Sequence, residues 1–458
     1  MRKFIVTGLV ALAAVLGFLG AVTSPASGAV SGAVSAAVSG AASSTAASAP
    51  SSSAGVAASP LSRVVSGTRP GALPAPRSLA YPAGVPAAVP APEDVLNGVS
   101  CLSQGDCLAV GANYAANGGH GSPRAYLWTG SAWALTSVPL PSNTSGGSLI
   151  DVSCKGGDCL AVGVYFRGST QYLLGEHWNG QHWTVTLPPY ISGSKFPVPT
   201  VVSCATATYC VASGQYNPAS NTHDAVAFAE VWNGTSWRLS VPAQVSPYHY
   251  EGFFTVSCTG TTFCLLGGEY ATSDQGYFTT LVERFNGTNW ALVTDAALRP
   301  QSGYATYLNS ISCTSSVACT AVGEQDKFSG ALAWHGFAET FKGGKWTRST
   351  AGLPATSTPT ALNAVSCATS TYCVAVGGAG TYAHQTTGKA IFSIWNGSTW
   401  TLHYADPPSG QGNYLVDDQC LTTTYCVASG AEGAYNTSTT HGLTWFWSGS
   451  KFTLINTA

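Results

Sequence analysis

Glu269 and Glu324 each follow directly on a glycine that ends an apolar run (LLGG before Glu269, TAVG before Glu324). Two carboxyls held about 5 to 9 Å apart can serve as acid and base, or as acid and nucleophile, at a glycosidic bond. If the chain is an enzyme, Glu269 and Glu324 are its catalytic pair. Tyr114, Tyr165, Tyr216 and Tyr270 stand close after the same kind of run. His120, His223, His384 and His441 come a little further on, and Tyr190, Tyr248, His249, Tyr250, Glu251 and Tyr304 fall in the longer connections. Flat rings with polar edges suit sugars or peptides. The candidate ligand-binding set is therefore Tyr114, Tyr165, Tyr216, His223, Tyr250, Glu269, Tyr270 and Glu324. The competing reading of each tyrosine alone is strand-end packing.

Other chemistries lack their residues. There is no H-E-x-x-H, no G-x-S-x-G and no glycine-rich phosphate loop. No sialidase-type S-x-D-x-G-x-x-W box occurs either. No cofactor is expected. Charged residues make up 8% of the chain, with 18 basic and 20 acidic side chains. All the acids lie from Glu93 onward, with 13 of the basic residues. A sparsely charged, mildly acidic domain does not suit nucleic acid, which needs a basic surface.

The elements that position these residues follow from the cysteines. They form seven close pairs: Cys101 with Cys107, Cys154 with Cys159, Cys204 with Cys210, Cys258 with Cys264, Cys313 with Cys319, Cys367 with Cys373, and Cys420 with Cys426. The first members are 53, 50, 54, 55, 54 and 53 residues apart. A fixed period of this size marks a solenoid, propeller or array. Each pair brackets a turn between two strand-like runs, so seven local disulfides are expected in an oxidising compartment. A zinc site would require cysteines of two repeats to converge, and no metal is expected.

Each repeat carries four strand signals. In the sixth these are Leu362–Cys367, Cys373–Gly377, Ala390–Trp395 and Trp400–Tyr404. Asn-Gly stands between the third and fourth at Asn179, Asn233, Asn286 and Asn396, which predicts type I′ hairpins. An aromatic pair flanks that turn in every repeat: Trp128/Trp133, Trp178/Trp183, Trp232/Trp237, Phe285/Trp290, Phe341/Trp346, Trp395/Trp400 and Trp447/Phe452. The expected role is packing between repeats rather than a sugar platform. Glu176, Glu230, Glu283 and Glu339 precede the third-strand aromatic by two and are expected to be structural, each satisfied by neighbouring backbone. Asp417-Asp418 breaks the first-strand pattern, either as a charge lining a central channel or as a decayed repeat.

The expected fold is all-β: a seven-bladed β-propeller of four-stranded blades, one disulfide per blade, over residues 93–458. The blade layout resembles the kelch and galactose-oxidase-like propellers, on the glycine pairs Gly267-Gly268 and Gly377-Gly378 and on Trp395 and Trp400. The combination VSC-x(4,5)-C-x-A-V-G with WNG-x-x-W resembles secreted actinobacterial propellers. A galactose-oxidase-like copper and thioether site is not expected, since no cysteine is left unpaired. The first blade starts with strand one and the last ends with strand four (Lys451–Asn456), so the ring should close by packing alone.

Met1-Arg2-Lys3, the uncharged run Phe4–Val22 and a small-residue site at Ser27-Gly28-Ala29 make residues 1–29 a signal peptide. An uncleaved membrane anchor is the alternative. Residues 30–92 are rich in Ala, Ser, Gly, Val and Pro with no acid, and are expected to be a disordered spacer. The chain is thus expected to be secreted. Strand parity puts the disulfide and Asn-Gly turns on one face. The variable 2–3 loops and 4–1 connections lie on a second face, where ligand contacts are expected. Three functions fit: binding an extracellular glycan or protein without catalysis, cleaving a glycan by hydrolysis or lysis, or serving as a scaffold subunit. The sequence leaves the oligomeric state open.

Overall fold

The structure is a computed structural model. It describes residues 94–455, apart from 114–119, 129, 131, 221–223, 244, 246–249, 272–277, 295–303, 328–333, 350–358, 381–387, 406–411 and 433–440. The expected signal peptide and spacer, Tyr114, His223, Tyr248, His249 and His384 lie outside the described residues.

Seven four-stranded antiparallel sheets follow one another along the chain, each with its strands in sequential order. The blades occupy 94–136, 146–186, 194–239, 250–292, 304–349, 360–405 and 413–454. In blade six the strands are Thr360–Thr369, Tyr372–Ala379, Lys389–Trp395 and Trp400–Ala405. Strand one of each blade packs against strand one of the next, and that of blade one packs against blade seven. The ring is therefore a closed seven-bladed β-propeller with strand one innermost. Among the described residues no strand is exchanged between the end blades, as expected, and strand four of blade seven is shorter than expected (Phe452–Leu454).

All seven disulfides are local, as the spacing predicts, and no cysteine is free. They join Cys101 to Cys107, Cys154 to Cys159, Cys204 to Cys210 and Cys258 to Cys264 in blades one to four. Cys313 to Cys319, Cys367 to Cys373 and Cys420 to Cys426 complete the set in blades five to seven. The two cysteines of each pair are directly opposed across strands one and two.

The core is distributed over the seven blade junctions. At the closing junction Leu96, Tyr126 and Trp133 of blade one meet Val427 and Phe446 of blade seven. The aromatic pairs flanking the 3–4 turn have ring centroids 4.4 to 5.5 Å apart. They feed these junction clusters, as Trp178 and Trp183 do beside Leu108 and Leu127 of blade one. The indole of Trp183 also donates to Thr136 Oγ1 of the preceding blade at 3.0 Å, and that of Trp290 to Ser240 Oγ at 3.0 Å.

Two expectations need correction. Asn179 closes its turn by donating to the His182 carbonyl, so Gly180 (φ 92°) is the first central residue and Gln181 has no positive φ. That is the type II′ pattern, as at Asn233, Asn286 and Asn396. Among the 3–4 turns described in full, only that of blade five, with Gly343 (φ 63°) and Gly344 (φ 81°), has the two positive values of type I′. The glycine pairs are also not equivalent. Strand one carries a bulge that presses its carbonyl onto one strand-two glycine per blade. In blade four this is the second of the pair, since a Cβ on Gly268 would lie 1.9 Å from the Gly252 oxygen. In blade six it is the first, since a Cβ on Gly377 would lie 2.0 Å from the Ala361 oxygen.

Candidate functional site

The residue after the bulge-facing glycine is Ala112, Val164, Gln215, Glu269, Glu324, Gly378 or Ala431. It is polar only in blades three to five. Glu269 and Glu324 do occupy equivalent positions, but they are 2% and 1% exposed. Burial pushes Glu324 up to about 8, and the charge of Asp326 adds to this. Burial also raises Glu269 well above the usual carboxylate range, with a further rise from Glu324. Burial thus favours the protonated form of both carboxyls. Half-buried Tyr250 has its hydroxyl raised by desolvation and then by Glu269, and the Gln215 side chain hydrogen-bonds to it. Gly252, opposite Glu269, leaves the space that Gln215 fills: a Cβ there would lie 2.4 Å from Gln215 Oε1. The structure thus brings Tyr250, Glu269 and Glu324 together, and adds Gln215 and Gly252.

The candidate tyrosines divide between packing and surface. Tyr165 is buried and stacks on Tyr172 at 5.2 Å, and the Arg167 guanidinium lies 5.5 Å over Tyr165 and 5.8 Å over Tyr172. His120 stacks on Phe166 at 4.0 Å. Tyr216 is half-buried against Phe228 and helps cover Ile191, and Tyr270 is half-buried. Large apolar side chains are exposed in the connection from blade two to blade three and at the start of the strand that follows it: Leu187 is 47%, Tyr190 67% and Phe196 53% exposed. Phe196 is held at φ 48° immediately before Pro197, whose carbonyl accepts from Gln171 Nε2 at 2.9 Å. An exposed phenylalanine in the left-handed region is a strained placement of the kind that clusters at ligand sites. Its sequence context, SKFPVP, carries no such signal.

The strand-three acids are structural, though not all as expected. Glu283 accepts from the Ala243 N–H at 2.8 Å, and Glu339 pairs with Arg348 at 2.8 Å. Glu176 has no hydrogen-bond partner on either oxygen, and Glu230 has none on Oε1. Burial pushes both up to about 8, so each is held as a neutral acid.

The inner edge of the ring carries a ladder that the VSC motif encodes. The first cysteine of each pair is not hydrogen-bonded across its own hairpin, so its N–H points to the open edge. The serine before the cysteine of the preceding blade accepts it: Ser100 Oγ from the Cys154 N–H at 2.9 Å, Ser153 Oγ from Cys204 at 2.9 Å, and so on to Ser366 Oγ from Cys420 at 2.8 Å. At closure Gln419 replaces the serine and its Oε1 accepts from the Cys101 N–H. A second row lies two residues earlier. There Asp151 accepts from Val202, Thr255 from Ile311, Ser310 from Val365 and Asp417 from Val99. Asp417 is therefore not merely decayed sequence. Burial pushes Asp417 up to about 7, and raises Asp151 well above the usual range with a further rise from Asp417. Asp418 is buried and is raised by burial, then by Asp417, against a lowering backbone hydrogen bond from Ser366.

No protein-family model matches the chain, and no curated protein matches its sequence. Solved structures do share its fold. An ulvan lyase bound to a GlcA(1-4)Rha3S unit has 7% identity and a TM-score of 0.50, over 82% of this chain and 95% of the lyase. YCF48 bound to D1 peptide has 13% identity and a TM-score of 0.46, over 79% of this chain and 97% of that one. Chaetomium thermophilum Sqt1, bound to the N-terminus of ribosomal protein L10, has 8% identity and a TM-score of 0.41, over 78% and 86%. At such identities the likeness is one of fold. Blade geometry and the lyase comparison together define the class: a seven-bladed β-propeller, here with a disulfide in every blade.

Proposed function

We propose that this is a secreted, non-catalytic binding propeller whose second face takes an extracellular glycan or protein. One observation carries the choice over a hydrolase or lyase. The carboxyl pair placed to act on a glycan is enclosed, at 2% and 1% exposure. On the same face Tyr190, Phe196 and Arg167 remain open to solvent. Aromatic rings beside a guanidinium bind without needing a reacting group. Seven disulfides favour the exported location, in keeping with the signal-peptide reading of residues 1–29.

The test pairs a glycan and peptide binding array with a polysaccharide turnover assay on one purified sample. Binding without product is expected, unchanged by Glu269→Gln or Glu324→Gln. Tyr190→Ala with Phe196→Ala should weaken it at least about tenfold, the scale of losing two aromatic contacts. Product formation that disappears in the Glu→Gln variants would replace this reading with the hydrolase or lyase.

A further inference from the structure

A cavity of about 310 Å³ opens on the outer rim between blades six and seven. Its walls include His403, Tyr404, Trp445, Trp447, Lys451 and Phe452. It exists because this junction departs from the repeat at three positions. Strand four opens with tryptophan in the first six blades but with Phe452 in the seventh. At three junctions that indole donates to the residue three after its counterpart in the preceding blade, Trp183 to Thr136, Trp237 to Thr186 and Trp290 to Ser240, while the indoles of Trp133 and Trp400 have no partner. Here the counterpart is His403, and a phenyl ring has nothing to donate. Phe452 instead leans inward and stacks on Phe392 of blade six, with ring centroids 3.4 Å apart. The space taken by the larger indole at other junctions is left open. Trp445 is the third departure: the same position holds Glu176, Glu230, Glu283 and Glu339 in blades two to five. Trp445 is 7% exposed, and its Nε1–H has no partner.

Lys451 is the one lysine or arginine of the lining, and among the described residues no carboxylate faces it; His403, Tyr404 and Ser450 can each donate or accept. An unopposed ammonium beside neutral polar groups favours an anionic occupant with hydrogen-bonding groups at its rim. The aromatic walls call for an apolar face, while Tyr404, 52% exposed, marks an open side where the occupant meets water. A flat ring with C–H groups on one face, hydroxyls at its rim and a negative charge meets all three demands. We propose that this pocket binds a carboxylated sugar residue, with the ring against Phe452 and Trp445 and the carboxylate toward Lys451. This site is separate from the second face and does not rest on the function proposed for it.

The test is calorimetric titration of the full chain with galacturonate and glucuronate oligomers, cello-oligosaccharides of equal length, and benzoate. The acidic oligomers are expected to bind and the neutral ones to bind at least about tenfold more weakly, as loss of a charge-assisted contact implies. Phe452→Trp with His403→Thr rebuilds the junction of blades one and two. It should fold with an unchanged melting temperature and lose acidic-oligomer binding. Lys451→Gln should lower acidic binding about tenfold with the fold intact, which keeps the test decisive if the double variant does not fold. Tyr190→Ala on the second face should leave rim binding unchanged. Equal binding of acidic and neutral oligomers, binding of benzoate alone, no binding of any acidic oligomer, or full binding by the rebuilt junction would each overturn the proposal.

Discussion

Asp417 Oδ2 accepts a hydrogen bond from the backbone N–H of Val99 at 2.8 Å, across 318 residues of chain. This contact and the neighbouring one from Cys101 to Gln419 join the last blade to the first where no strand is shared. An inner strand edge leaves N–H groups unpaired, and side chains of the adjacent blade supply the acceptors.

Removing those acceptors should open the ring at its seam. Gln419→Ala leaves the Cys101 N–H buried without a partner, at a cost of about 1 to 3 kcal/mol. Asp417→Ala should cost a similar amount through Val99. Chemical denaturation of each variant measures this, and an unchanged midpoint for both would show that apolar packing alone closes the ring.

Stability should fall as pH rises through neutrality. Glu176, Glu230, Glu283 and Glu324 are raised to about 8, and Glu251 and Asp417 to about 7. In the unfolded chain such carboxyls titrate near about 4. Between these values the folded state holds more protons than the unfolded one, so the contribution is full on the acid side and is lost on ionisation. Melting temperature should be higher at pH 5 than at pH 9. Glu176→Gln with Glu230→Gln should flatten that dependence, which a melting series across this range would record.

The strand-two glycine is required by contact rather than by flexibility. Gly377→Ala places a methyl 2.0 Å from the Ala361 oxygen and should cost at least about 3 kcal/mol or prevent folding. Gly378→Ala meets nothing closer than the Tyr414 Cβ at 3.7 Å and should be nearly neutral. Comparable losses at both would contradict the bulge geometry.

Each disulfide closes a loop of five or six residues, so its removal should be modest and local. Changing Cys101 and Cys107 together to Ser should cost about 2 kcal/mol in the chain-entropy view. Trp400→Ala, at 3% exposure in a junction cluster, should cost about 3 to 5 kcal/mol. Non-reducing peptide mapping of the parent should find only the seven local links, with Cys159, Cys210, Cys264, Cys319 and Cys426 each recovered with the cysteine five or six residues before it.

The candidate site was only partly legible. Equal spacing from a strand-ending glycine correctly made Glu269 and Glu324 counterparts. Their enclosure was not readable, because burial depends on what the neighbouring blade presents: Gln215 from blade three reaches the space above Gly252 in blade four. The exposed Phe196 and the rim cavity were likewise invisible. One is a backbone conformation, and the other arises from a missing indole facing a different blade.

The sequence by itself determined the number of blades, the four strands in each and the disulfide pairing. All of these are local and repeat every 50 to 55 residues, so seven copies reinforce one pattern. The tertiary structure decided the turn type, which glycine of a pair is obligatory, and the protonation of the buried acids. It also decided the pairing of Asp417 with Val99 and of Gln419 with Cys101. The turn type and the obligatory glycine depend on backbone geometry within a blade, and the others on contacts between blades, whose partners lie one repeat away or, at the seam, at opposite ends of the ring. Periodicity specifies what each blade is, and only closure specifies what faces it.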